Sequence, residues 1–416
     1  MFGEIKKNEI FAKCFHVEMG FVKIHNGRIV TSEGVLSRGT VLVKGGKIVE
    51  VVEGDLGVEG GPGEGAVVID AGGRYVAPGL IDIHVHGGGG HDFMDGTVEA
   101  FLGVAALHAR YGTTAMLPTT MTCPIEKLYQ ILDVYPEARR VNVGGAEFLG
   151  LHLEGPYLAM SQRGAQDARY IRTPSRKEYS EILERSTEIR RWSAAPEVEG
   201  ALEFGRYLKE RGILVAFAHT DALYDEALEG FRNGYTLATH FYSCMNGVVR
   251  RGLYRQAGAV ECAYLTEEMD VEVIADGVHL PAPLLRLVHQ IKGAGRTALV
   301  TDAMRAAGMP DGESVLGDIS DGVRVIVEDG VAMLPDRSAF AGSVATADRL
   351  VRVMLKAGIP LVEAVRMMTA TPARMIGVSD RKGALAAGMD ADIIIFDEEV
   401  NVALTMIGGR VVYEKL

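Results

Sequence analysis

Short apolar runs of five to seven residues recur along this chain, separated by longer stretches in which apolar positions return every three or four residues. The short runs read as strands and the longer stretches as helices. The middle of the chain predicts eight strands, at 80–86, 113–117, 148–154, 189–195, 213–219, 235–240, 271–275 and 298–302. Helical patterns fill the gaps: Thr97 to Arg110 stops before Gly112, and Ala201 to Arg211 stops at Gly212, glycines placed for a left-handed helix end. Eight strands alternating with helices match a (β/α)8 barrel.

Both ends have a different texture. Val22 to Val30 and Gly39 to Val49 alternate apolar with polar residues around Asn26-Gly27 and Gly45-Gly46, pairs that read as hairpin turns. Gly54 to Gly65 is glycine-rich and reads as a loop. Strand-like runs return at 391–396, 402–407 and 410–413. The expected fold is therefore α/β: a TIM barrel over 77–379, with a small β-sandwich built from residues 1–76, including an N-terminal extension, and 380–416.

With 416 residues, the chain has room for such a barrel plus an accessory domain. Its 48% hydrophobic and 24% charged residues are ordinary for a water-soluble globular protein, and no apolar run approaches the length of a membrane span. The first residues lack the apolar core of a secretory signal. Four scattered cysteines without a CxxC pair point to a reducing cytoplasm. A net charge of −12 argues against nucleic acid or an anionic membrane as the main partner, and an anionic small substrate would need locally placed arginines.

The candidate chemistry lies where the predicted strands end. His84 and His86 close the first strand two residues apart, so they share a face. Glu154 closes the third strand, His219 the fifth, His240 the sixth and Asp302 the eighth. Side chains at the carboxyl ends of barrel strands converge on one mouth. Imidazoles with a carboxylate, and no cysteine among them, suit Zn2+ or another borderline divalent ion. Asp302 also has the chemistry of a general base and acid, taking a proton from water and returning it to a leaving amine. His279, after the seventh strand, reads as a substrate contact. Of the 11 histidines, His152 reads as a packed core residue, His91 is left outside the metal set, and His16, His25, His108 and His289 are assigned no function.

These residues resemble the amidohydrolase superfamily and, within it, the deacetylases of N-acetyl amino-sugar phosphates. The resemblance runs from Ala77-Pro78-Gly79 through the His84-Val85-His86 segment, His152-Leu153-Glu154-Gly155-Pro156, Arg163 to Gln166, Ala218-His219-Thr220 and Ile274 to His279. It continues through Val300 to Met304, Ala341-Gly342-Ser343 and Gly388 to Asp392. It implies a metal-dependent enzyme that hydrolyses N-acetyl-D-glucosamine 6-phosphate to D-glucosamine 6-phosphate and acetate, and a homodimer. By the same resemblance Glu154, His219 and His240 hold the main ion, His84 and His86 make a second ion available, and Asp302 is the acid/base. Ala165, Gln166, Ser243, Cys244, Arg251, Asp276, His279, Phe340, Ala341 and Gly342 fall at substrate-contacting positions.

Two segments depart from the family pattern. After His240 the family reads x-x-Asn-Ala-Met, and here the residues are Phe241-Tyr242-Ser243-Cys244-Met245. The Arg-Glu-Pro-Gly segment, whose arginine reaches phosphate across the dimer interface, is replaced by Arg250-Arg251-Gly252-Leu253-Tyr254-Arg255. The backbone N–H groups of Ser243 and Cys244 are still expected to serve an oxyanion. Three alternatives stand beside the main reading. Hydantoinase-like chemistry is disfavoured because 192–197 contains no lysine. A deacetylase for another N-acetyl sugar, such as the galactosamine 6-phosphate, or for an unphosphorylated amide is the alternative that the altered 243–255 segment motivates. A non-catalytic barrel is disfavoured because every ligand and the base are present.

Overall fold

The computed structural model describes residues 21–54 and 66–416. The glycine-rich loop expected over 54–65 and the first 20 residues therefore fall almost wholly outside the described residues. Eight parallel strands form the barrel: Leu80–Val85, Thr113–Thr120, Leu151–Glu154, Ile189–Ala194, Leu214–Phe217, Tyr235–Ala238, Asp270–Ile274 and Thr297–Val300. Each pairs with the next in parallel register. The seam between the eighth strand and the first is closed by single bonds, Asp302 N–H to His84 O (2.9 Å) and His86 N–H to Ala303 O (2.9 Å).

Inward-facing Ile81, Ile83, Ala115, Leu117, Ala216, Leu237, Ala298 and Val300 pack on one another inside the barrel, and Ala373 and Met375 cap them. This apolar plug leaves the carboxyl-end mouth as the place for polar chemistry. Helices lie outside. One is Val98–Ala109, whose N-terminus is capped by the Thr97 side chain accepting from Ala100 N–H and which is followed by Gly112 at φ +88°. Another, Ala201–Lys209, is followed by Gly212 at φ +70°. Both fit the expected helices to within a few residues.

Strands from the two chain ends build one mixed, mostly antiparallel sheet, with Tyr75–Pro78 lying between Phe21–Val30 and Ile393–Phe396. The sheet curls until its remote turns meet: a Cβ on Gly409 would sit 2.9 Å from Gly46 Cα. The enclosed core is Ile24, Val41, Val43, Ile393, Ile395, Leu404 and Met406. Gly45 and Gly46 form the expected hairpin turn, both with positive φ. Asn26-Gly27 does not form a turn. It is a bulge inside the continuous strand Phe21–Val30, with Asn26 at φ +56° and the register shifting on either side of Gly27. A bulge needs the same left-handed backbone as a turn, so the dipeptide alone does not separate the two.

The pattern also left one element unassigned. After the eighth barrel strand, a four-stranded antiparallel sheet (Gly312–Leu316, Val323–Glu328, Val331–Met333, Phe340–Ser343) rises over the mouth.

Candidate active site and metal centre

Three of the candidate site residues sit just past their strands rather than on them. The fifth, sixth and eighth strands end at Phe217, Ala238 and Val300, and His219, His240 and Asp302 follow two residues later. All three have left-handed backbones, with φ of +46°, +30° and +48°. Non-glycine residues avoid this region at a cost of order 1–3 kcal/mol, and such outliers gather at functional sites. Here the turn swings each side chain across the mouth instead of letting it continue along the strand.

The result is one buried cluster of two groups, Glu154 with His219 and His240, and His84 with His86 and Asp302. Within each group the ligand atoms lie within 4.8 Å of one another. Glu154 stands between them. Its Oε1 is 3.1 Å from His240 Nε2, 3.5 Å from His219 Nε2 and 3.4 Å from His84 Nε2, and its Oε2 is 3.4 Å from His86 Nε2. Asp302 Oδ1 lies 3.2 Å from His86 Nε2 and 3.5 Å from His84 Nε2.

The donor set fits a divalent metal. His219 Nδ1 donates to Gln162 O (2.8 Å), His240 Nδ1 to Ser243 O (3.1 Å) and His84 Nδ1 to Glu272 Oε1 (2.7 Å). A neutral imidazole with its proton fixed on Nδ1 presents a lone pair at Nε2. The Nε2 atoms crowd together, His84 Nε2 to His86 Nε2 at 3.3 Å and His240 Nε2 to His219 Nε2 at 3.2 Å. Nitrogen lone pairs so arranged call for a cation between them. In the protein alone, protons fill that role. Burial opposes charge on both rings, but Glu154 and Asp302 outweigh it and push His84 up to about 9 and His86 up to about 10. Burial likewise opposes charge on Glu154, yet the surrounding histidines hold it well below the carboxylate range. Asp302 is lowered against its own burial by His84 and His86.

A cavity of about 240 Å³ opens above the cluster, lined by His86, Glu154, Ala165, Gln166, His219, His240, Ser243, Cys244, His279, Asp302, Phe340 and Gly342, with Met121, Ile274, Leu316 and Ala339. Most of the expected substrate contacts are therefore at this cavity. Gln166 donates from Nε2 to Glu154 Oε2 (2.8 Å) and accepts from Thr122 N–H (2.9 Å), which fixes one ligand carboxylate from the side. His279 is held through Nδ1 by Asp276 Oδ2 (2.8 Å) and packs on the Phe340 ring. Asp276 and Ala341 are buried behind the wall. A Cβ on Gly342 would fall 2.8 Å from the Asp302 carbonyl at a backbone φ of +67°, so the chain approaches the acid there only as glycine.

Two expected contacts differ from the rest. The Ser243 N–H donates to His240 O (2.8 Å), so it is committed to the ligand turn. Arg251 is exposed on the hairpin Val249–Arg251/Tyr254–Gln256 and does not line the cavity. Among the described residues, no lysine or arginine does. His152 is a buried core residue bonded to Ser193 Oγ (2.7 Å) and Thr119 Oγ1 (3.2 Å), and His91 is absent from both ligand groups. Sequence reasoning missed Glu272 and Arg191, which lie beneath the cluster. The available signal was a charge flanked by β-branched apolar residues, as in Val271-Glu272-Val273.

The amidohydrolase family model matches residues 75–412. The chain belongs to the amidohydrolase family. Among individual relatives, it is 34% identical over 340 residues to the N-acetylglucosamine-6-phosphate deacetylase of Vibrio furnissii, covering 81% of this chain and 82% of that one. It is 33% identical to the N-acetylgalactosamine-6-phosphate deacetylase of Escherichia coli O157:H7, over 81% of this chain and 87% of that one. The crystal structure of N-acetylglucosamine-6-phosphate deacetylase from Pasteurella multocida superposes with a TM-score of 0.86 at 29% identity, covering 94% of this chain and 99% of that one. The resemblance drawn from the motifs holds, and so does the barrel with its small β-domain. Amidohydrolases are metal-dependent, and this member carries the His and acidic groups for it. Among the described residues, no helix is long and apolar enough to cross a membrane.

Proposed function

We propose that this amidohydrolase removes the acetyl group of N-acetyl-D-glucosamine 6-phosphate, consuming water and releasing D-glucosamine 6-phosphate and acetate. The observation that carries the reading is the convergence of two three-ligand groups around Glu154 at the floor of a sugar-sized cavity. We assign Glu154, His219 and His240 to one ion and His84, His86 and Asp302 to a second, both Zn2+ by the chemistry of the donors. When bound, the metal supplies Lewis acidity that polarises a carbonyl and acidifies water.

The chain's own residues do the rest. Asp302 Oδ1 accepts the proton of the attacking water and returns it to the amine nitrogen as the C–N bond breaks. The Cys244 N–H meets the developing oxyanion, and Gln166 keeps Glu154 oriented. Ala165, His279, Phe340, Ala341 and Gly342 shape the sugar subsite, with Asp276 holding His279. With no lysine or arginine among the described residues lining the cavity, Arg251, reaching across a homodimer interface, is the residue assigned to the phosphate. The enzyme is assigned to the cytoplasm, and the chain is divided into a barrel over 77–379 and a β-domain from 1–76 and 380–416.

Acetate release from N-acetylglucosamine with and without the 6-phosphate tests the substrate. A kcat/KM at least tenfold higher for the phosphorylated sugar is expected, and equal values would reject it. The altered 243–255 segment and the relative named an N-acetylgalactosamine-6-phosphate deacetylase favour one second reading, the C4 epimer as preferred substrate. The same assay run on both epimers decides between them.

A further inference from the structure

Beneath the ligand cluster, the barrel interior holds an ion pair with no exposure to solvent on either side chain. Arg191, on the fourth barrel strand, donates from Nη1 to Glu272 Oε2 (2.5 Å) and from Nη2 to Glu272 Oε1 (2.9 Å), and Glu272 is on the seventh. The pair does more than neutralise itself. Glu272 Oε1 accepts from His84 Nδ1 (2.7 Å) and from the His240 backbone N–H (3.1 Å), one residue from each ligand group. Arg191 donates to the residue before each of the same two histidines, to Ile83 O (3.2 Å) and to Thr239 Oγ1 (2.8 Å).

The three Nδ1 contacts are unequal. His219 and His240 are oriented by backbone carbonyls, which no substitution removes, whereas His84 is oriented by a side-chain carboxylate. We propose that the Arg191–Glu272 pair is the positioning device of the His84–His86–Asp302 site: it holds the His84 ring with Nε2 free for metal, and occupancy of that site depends on it while the Glu154–His219–His240 site does not. This inference rests on the two-ion reading above. Outer partners of metal-bound histidine typically contribute 10- to 100-fold to affinity.

The test uses Glu272→Asp in the full chain. It keeps the charge opposite Arg191 but retracts the carboxylate by one methylene, out of reach of His84 Nδ1. Wild type and variant are loaded with Zn2+, and each ion is titrated against a competing chelator, with bound zinc counted by elemental analysis. The expected result is one tightly held ion unchanged and the other weakened about 10- to 100-fold. A second variant, Thr239→Val, removes one of Arg191's anchors without touching a charge and is expected to shift the same ion in the same direction by less. Both ions retained at wild-type affinity in Glu272→Asp, or both weakened equally, would overturn the proposal. Wild type binding a single ion would overturn it too while leaving the hydrolase reading intact, and wild type binding none would remove that reading itself.

Discussion

Replacing Asp302 by Asn removes the carboxylate while keeping the residue's shape and backbone. Asn is an isostere, and it is among the few residues that tolerate a left-handed backbone, so φ +48° at this position is preserved. The backbone bonds at the seam, Asp302 N–H to His84 O (2.9 Å) and Ser343 N–H to Asp302 O (2.7 Å), do not involve the side chain. The carboxamide can still present an oxygen to His86 at about the original position. What disappears is a carboxylate that the neighbouring imidazoles keep ionised, and with it the only acid/base assigned to the step. General acid–base catalysis contributes about 10²- to 10⁴-fold, or roughly 3 to 5 kcal/mol of barrier at 1.36 kcal/mol per decade. We therefore expect kcat and kcat/KM for acetate release to fall together by that factor, with the thermal midpoint little changed and the ion of the Glu154 group retained. Activity would be followed by coupled acetate detection and metal by elemental analysis on the same preparation. A kcat within tenfold of wild type at full metal occupancy would remove Asp302 from proton transfer.

Three further outcomes are expected. Gly342→Ala places a methyl group 2.8 Å from the Asp302 carbonyl at a positive φ, so it should cost about 1–3 kcal/mol in thermal unfolding and lower kcat at least tenfold; a wild-type rate would mean the Asp302 turn yields freely. Arg251→Ala should raise KM for the phosphorylated sugar with kcat nearly unchanged, since a phosphate contact acts mainly in binding; an unchanged KM would shift the role to Arg250 or Arg255. For the metal-stripped protein, His84 at about 9 and His86 at about 10 bind protons that the unfolded chain releases near 6.5. Their stabilisation is fully present below about pH 6.5 and is lost as pH rises through 9 to 10. Thermal midpoints should fall over that window without metal and much less with it, because the bound ion displaces those protons. Parallel profiles with and without metal would contradict the assignment of these rings.

The alternation of apolar and polar residues was enough to place the eight barrel strands to within a few residues, the helix that Thr97 caps, and the terminal strands. It also identified His84, His86, Glu154, His219, His240 and Asp302 as one set, because a strand's period of two and the shared direction of parallel strands send such residues to one mouth. The family motifs added most of the cavity wall. Other features depended on residues distant in sequence. Arg191 and Glu272 lie 81 positions apart, and neither strand shows by itself that its charge turns inward until barrel closure brings the two together. The left-handed turns at His219, His240 and Asp302, the bulge at Asn26-Gly27 and the sheet of 312–343 over the mouth were likewise decided by packing. Local periodicity states which face a side chain takes, but which faces end up opposite one another is set by how the sheet closes, and that is a property of the whole fold.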